Sequence, residues 1–117
     1  KAWIDNIVRE GKTYTFGEGR NAKRVYGLLH NKLVVLLQSS GSSGFHTGGS
    51  RESLNHADKA VIAVFTELGV HKFEKASMEG VCEETDETLE RNWIQCERRL
   101  AEIADRIKVR WRDQHRA

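Results

Sequence analysis

The stretch that most restricts this chain is Leu33 to Leu37 (LVVLL), an unbroken apolar run that passes straight into a polar loop, QSSGSSGFHTGGS. A short apolar run bounded by turn residues reads as a β-strand covered on both faces, which points to a parallel sheet flanked by helices. Such a strand needs a neighbour on each side. The chain supplies one further segment of strand character after it, so the sheet is expected to continue in a preceding segment or in another chain. A Gly/Ser loop leaving the carboxyl end of a buried strand stands where open α/β sheets bind ligands. Backbone N–H groups and Ser hydroxyls there can meet phosphate or heterocycle oxygens. Ser39 to Gly44 (SSGSSG) also reads as a flexible linker, because loops of this length are either functional or disordered.

The flanking segments alternate in character. Lys1 to Glu10 carries Trp3, Ile4, Ile7 and Val8 on one helical face, with Gly11 as the stop. Lys12 to Phe16 (KTYTF) reads as an extended excursion, and Glu18 to Lys32 as a basic surface loop whose Val25, Tyr26, Leu28 and Leu29 fold back. Arg51 to Leu68 places Leu54, Ala57, Val61, Val64, Phe65 and Leu68 on one helical face, with Ser50 or Ser53 as N-cap and Gly69 as the stop. Val70 to Met78 is extended but polar, an edge strand protected by Lys72, Glu74 and Lys75. Strand, helix and strand here make one βαβ unit. From Asp86 to about Gln114, the residues Leu89, Trp93, Cys96, Leu100, Ile103 and Ile107 form a stripe expected to pack on the sheet rather than in a coiled coil. Acids in the first turn and arginines near the end suit the helix dipole.

At 117 residues the chain is one domain by length, and a start at Lys1 in mid-helix is expected of a fragment whose amino-terminal part is missing. A formal charge of +2 gives no nucleic-acid footprint. No apolar stretch approaches the roughly 18 residues of a membrane span, and no signal-peptide pattern appears. Cys82 reads as a free loop thiol and Cys96 as a small core residue; neither has metal-ligand spacing, and both fit a reducing, cytoplasmic compartment. No Ser-His-Asp arrangement or P-loop is present.

Taken in order, the residues resemble the carboxyl-terminal half of the FMN-dependent NADH azoreductases, a branch of the flavodoxin-like quinone reductases. That family has a helix of the type LKxxxDxxxRxGxTF, a GLLxGK-like segment, a buried strand running into a Ser/Ala-Arg-Gly-Gly-Ile-Tyr/His loop, and an FxGIxxxxxxxxEG segment before the last helix. The matching positions here are Lys1, Asp5, Arg9, Gly11, Thr15 and Phe16, then Gly27-Leu28-Leu29-His30-Asn31-Lys32. The loop matches at Ser39-Ser40-Gly41-Ser42 with Phe45-His46, and the later segment at Leu68-Gly69-Val70 and Glu79-Gly80.

The resemblance implies a flavodoxin-like three-layer α/β/α sandwich with a parallel sheet, of which residues 1–117 are the carboxyl-terminal part. It implies a homodimer with FMN at the interface, NADH or NADPH as electron donor, and a quinone or azo compound as acceptor, with no nucleic acid or membrane. Two of the family's FMN-binding segments fall before Lys1, and the third carries over to Ser39, Ser40, Gly41 and Ser42. Ser40 stands where the family has Arg and Ser42 where it has a second Gly, and a positive φ at Ser42 would strain a residue with a side chain. His46 is the candidate catalytic residue, able to flank the flavin or protonate an acceptor. The competing expectation is a non-catalytic flavodoxin-like fragment or partner-binding module without flavin.

Overall fold

The computed structural model describes every residue between Lys1 and Ala117, those two excepted, so the Lys1 of the helix motif lies outside the described residues. The chain forms two compact units: one runs through Val35 and resumes at His56–Phe73, and the other holds Leu36–Asn55 and the segment from Glu74 onward.

In the first unit, helix α1 (Ala2–Ile7) is shorter than its apolar stripe predicts. Thr13 explains the early stop: its hydroxyl donates to the Ile7 carbonyl at 2.7 Å and accepts the Arg9 N–H at 3.0 Å. Gly11, at φ +73°, then turns the chain into β1 (Tyr14–Phe16). β1 pairs antiparallel with β2 (Val25–Gly27), with Thr15 opposite Tyr26. The expected surface loop therefore contains a strand, whose Arg24–Tyr26 cation–π contact and T-shaped neighbour pair Tyr14–Phe16 sit on the hairpin.

β2 ends where two glycines face each other. A Cβ on Gly27 would lie 2.1 Å from the Leu68 carbonyl carbon, and Leu29 donates its N–H to the Leu68 carbonyl at 2.8 Å. Gly69, at φ +97°, closes α2 (Ala57–Glu67) on the other side of that contact. Leu68 and Val70, at 2 % and 0 % exposure, form the core there.

α2 begins six residues later than the periodicity predicts, and neither Ser50 nor Ser53 caps it. The preceding residues form a short 3₁₀ turn (Glu52–Leu54) followed by Asn55 in an extended conformation. Asn55 is buried and gives its side-chain N–H to the Phe45 carbonyl, an attachment incompatible with a continuous helix. Leu54, assigned to the core face from its spacing, is 63 % exposed as a result.

Strands β3 (Leu33–Ser39) and β4 (Lys72–Met78) pair with each other and pass from one unit into the other. Ser40, one residue past β3, donates to the carbonyl of Met78 at the end of β4 at 3.0 Å, so the two carboxyl ends lie together and the pair is parallel. The expectation of a strand covered on both faces is not met within this chain: Leu33–Leu36 are half-buried and Leu37 is 68 % exposed. The cause is the single neighbour, since β4 is the only strand paired with β3 among the described residues.

In the second unit, α3 (Asp86–His115) has the length and dipole charges that the sequence predicts, and Thr85 caps it through the Thr88 N–H, but Trp93 and Ile107 of the expected packing stripe are exposed. Ile103 is buried, while Cys96, Leu100, Ala76 and Met78 gather at one apolar hollow. The polar edge of β4 is bound to the helix by charge. Glu74 takes Arg99 at 2.8 Å and Arg106, and Arg99 also donates to the Lys75 carbonyl. The bond from Arg106 outweighs desolvation and holds the Glu74 carboxyl below its ordinary value.

Candidate functional site

The loop after β3 divides into two halves that the segment after β4 treats differently. In the first half, Ser39 ends the strand, and residues Ser40, Gly41 and Ser42 offer their carbonyls to Val81, Cys82 and Gly80 respectively. The Val81 N–H meets the Ser40 carbonyl, the Cys82 N–H meets that of Gly41, and the Gly80 N–H meets that of Ser42. The Ser40 hydroxyl donates to the Ser42 carbonyl at 2.8 Å. The carbonyls thus face inward. Among the described residues the N–H groups of Gly41 and Ser42 find no protein acceptor. Neither residue has a positive φ, so the strain considered for Ser42 does not arise.

In the second half, the donors of Ser43, Gly44 and Phe45 are already taken. Glu83 accepts the Ser43 N–H at 3.0 Å and its hydroxyl at 3.3 Å, and Arg51 bridges Glu83 and the Ser43 carbonyl. One oxygen of Glu79, Oε2, accepts the Gly44 N–H at 2.9 Å, the Phe45 N–H at 3.1 Å and His46 Nδ1 at 3.1 Å. Gly44 itself is buried, and its carbonyl accepts the Arg51 N–H. These ties overturn the linker reading of SSGSSG. They also correct the expectation that the whole loop offers free N–H groups, since those of Ser43, Gly44 and Phe45 already have acceptors.

The two carboxylates respond as charge-assisted acceptors do. Burial works to raise the Glu79 carboxyl, but the bonds from His46, Phe45 and Gly44 outweigh it and hold the group below its ordinary value. The Ser43 N–H does the same for Glu83, aided by Ser42 and Arg51. An ionised carboxylate only accepts, so the Nδ1 facing Glu79 carries the hydrogen; the tautomer follows from that partner. Nε2 has no protein partner among the described residues. The His46 side chain is 66 % exposed and that of Glu79 18 %. Both line a polar cleft of 490 Å³ between β4, the loop and the first half of α3, with Thr88, Asn92 and Arg99 on the opposite wall.

The predicted site residues therefore share one loop in one unit. No bond joins His46 directly to Ser39–Ser42; the link runs through Glu79-Gly80, whose first residue holds His46 and whose second holds Ser42. Glu79, Glu83 and Arg51 were not foreseen as partners. The available signal was the position of Glu79 at the carboxyl end of β4, beside the end of β3. Cys82 also belongs here, since its sulfur would lie 3.2 Å from a Cβ on Gly41. Three of the other histidines have partners elsewhere: His71 stacks on His30, and His115 stacks on Trp111 and meets its carbonyl. No cluster of residues able to hold a metal ion occurs among the described residues.

Comparison with known proteins gives this geometry a setting. A family model described as flavodoxin-like fold matches residues 1–100. FMN-dependent NADH:quinone oxidoreductase 1 of Pseudomonas fluorescens is 33 % identical over 104 residues, 89 % of this chain and 49 % of that protein. FMN-dependent NAD(P)H:quinone oxidoreductase 1 of Pseudomonas aeruginosa is 32 % identical over 104 residues, again 89 % and 49 %. The crystal structure of an azoreductase from Bacillus anthracis superposes with a TM-score of 0.72 at 22 % identity, covering 89 % of this chain and 47 % of that one. The chain spans about half the length of the curated relatives it matches.

Proposed function

The chain belongs to the flavodoxin-like fold family, and on that premise we propose that it is the carboxyl-terminal part of an FMN-dependent oxidoreductase that passes two electrons from NADH or NADPH to a quinone or azo acceptor. The observation that carries this reading is the divided loop. Gly41 and Ser42 present adjacent open N–H groups at the carboxyl end of a parallel strand, while every donor of Ser43–Phe45 is satisfied internally. Open donors beside a rigid anchor suit the oxygen-bearing edge of a flavin ring, so the residues present fit the group. Of Ser39, Ser40, Gly41 and Ser42, it is Gly41 and Ser42 that would hold it through open N–H groups, while Ser40, whose N–H and hydroxyl are bound to the Met78 and Ser42 carbonyls, would shape the loop around it. When bound, the flavin supplies the hydride chemistry, and the protein supplies orientation and hydrogen bonds. Donors at that edge stabilise the negative charge that reduction places there. His46 is the candidate proton donor to the acceptor, with Nε2 as the working nitrogen.

The same reading has the rest of the domain complete the sheet along the second edge of β3, where Leu37 stands exposed. It pairs two copies of the whole protein around the flavin. The half-exposed rings of Trp3, Phe16 and Tyr26 are anchors of the kind that interfaces use. Two free thiols, Cys82 and Cys96, suit a reducing cytoplasm. Among the described residues no helix is long and apolar enough to cross a membrane.

The test is a titration of the complete protein with FMN, followed by visible flavin absorbance and by NADH consumption with a quinone. Bleaching on NADH and recovery on adding quinone are expected. A colourless protein that FMN leaves unchanged would refute the oxidoreductase reading and favour a flavodoxin-like partner-binding module.

A further inference from the structure

Glu79 is a residue the flavin reading leaves without a task, although one of its oxygens gathers three donors of the loop. We propose that Glu79 is a positioning residue that fixes the Gly44–His46 turn and locks the His46 ring with its hydrogen on Nδ1, so that Nε2 alone meets the reactant. The proposal rests on the assignment of this loop to the flavin site.

Three facts support it. All three donors, at 2.9, 3.1 and 3.1 Å, converge on the single oxygen Oε2. A carboxylate serving only to tie down the turn would need just the two N–H groups, and Glu83 with Arg51 already secures the neighbouring Ser43. The side chain of Glu79 is largely enclosed while that of His46 is mostly exposed, the arrangement expected when one group orients and the other reacts. The loop anchor and the ring anchor are then one atom, so the position of His46 is tied to the shape of the flavin loop.

The proton accounting closes. The nicotinamide nucleotide would supply a hydride, which is two electrons and one hydrogen, and a bound flavin would hand these to the quinone or azo acceptor, so that one further hydrogen is needed as a proton. The Nε2–H bond of protonated His46 breaks and an O–H or N–H bond forms on the acceptor. The ring is left neutral with its remaining hydrogen on Nδ1, and water returns the proton to Nε2. Without Glu79 the neutral ring is free to carry its hydrogen on Nε2.

The test reads the tautomer in the chain without flavin. Nitrogen-15 spectra of histidine-labelled protein are recorded at a pH where imidazoles are neutral, with His46 identified by the signal lost in His46→Ala. The parent is expected to show the Nδ1–H form. Glu79→Ala should shift His46 to mostly Nε2–H and speed amide exchange at Gly44 and Phe45 about tenfold or more, with α3 amides unchanged. Glu79→Gln should retain both signatures, because its oxygen can occupy the same place and two backbone donors keep it there. A parent in the Nε2–H form, or a Glu79→Ala variant that keeps the Nδ1–H form, overturns the proposal. If Glu79→Ala fails to fold, the parent tautomer and its retention in Glu79→Gln decide the matter. An Nδ1–H parent whose complete protein binds no FMN would sink the flavin assignment while leaving the Glu79 geometry in force.

Discussion

Replacing Gly27 by alanine tests the packing of the first unit with a single methyl group. A Cβ there would lie 2.1 Å from the Leu68 carbonyl carbon, 2.2 Å from the Gly69 nitrogen and 2.4 Å from the Leu68 oxygen. All three are backbone atoms, so no rotamer change relieves the clash. Ordinary contact needs a separation larger by about 1 Å or more. Such a retreat breaks the 2.8 Å bond from the Leu29 N–H to the Leu68 carbonyl. Losing that bond costs about 1 kcal/mol, and overpacking costs about 1–3 kcal/mol. The expected loss is therefore about 3 kcal/mol, a large share of the roughly 5–15 kcal/mol by which domains are stable. For a domain of this size that lowers Tm by about 10–25 °C. Gly11→Ala is the control, because Gly11 has φ +73° but no atom within 4 Å of an added Cβ. It should cost only the left-handed backbone penalty of about 1–2 kcal/mol. Urea unfolding of the three proteins, with amide exchange at Leu29, measures both terms. A Gly27→Ala loss below about 0.5 kcal/mol, or one no larger than that of Gly11→Ala, refutes the reasoning.

Three further outcomes follow from the loop. Gly41→Val in the complete protein should weaken FMN binding about tenfold or more, since its side chain covers the open donors and presses on Cys82, whereas stability should change by less than about 1.5 kcal/mol; unchanged FMN affinity would exclude this loop as the flavin site. Asn55→Ala should cost about 1–2 kcal/mol in chemical denaturation, because it removes a buried amide and leaves the part-buried Phe45 carbonyl without its donor, and a neutral result would show that water replaces the amide. Acid should loosen the second half of the loop. Glu79 and Glu83 are held below the ordinary value of 4.5, so their contribution is complete above that value and is lost as pH falls through the lower folded values. Amide exchange at Ser43, Gly44 and Phe45, corrected for intrinsic rates, should stay level down to about pH 4.5 and rise below it; a rise already at neutral pH would contradict the clamp.

What could be read from the sequence was what local physics decides. The apolar run of β3, the polar edge of β4 and the length of α3 each follow from side-chain pattern and caps within the segment itself. β2 and the late start of α2 could not be read that way, because both depend on distant partners. Gly27 is a strand residue because Leu68 and Gly69 come to meet it, and Asn55 interrupts a helical pattern because the Phe45 carbonyl needs a donor. The site divided along the same line. Ser39, Ser40, Gly41, Ser42 and His46 were visible as loop chemistry after a strand. Glu79 lies thirty-three residues from His46, and periodicity carries no information about which carboxylate will fold back onto a turn.

The half-open ladder of β3 has a consequence for the chain handled by itself. Val34, Val35 and Leu36 lie in an uncharged, proline-free window, with Lys32 the nearest charge on one side and no charge before Arg51 on the other. β4 carries Lys72, Glu74 and Lys75, whereas β3 (LVVLLQS) carries no charged residue of its own. That combination of β-branched residues, apolar surface and vacant N–H and C=O groups is what seeds cross-β stacking. Concentrated solutions of the chain are therefore a setting for fibril nucleation, and a lysine at Leu37, whose side chain is already mostly in solvent, is the gatekeeper that would slow it with least harm to the core.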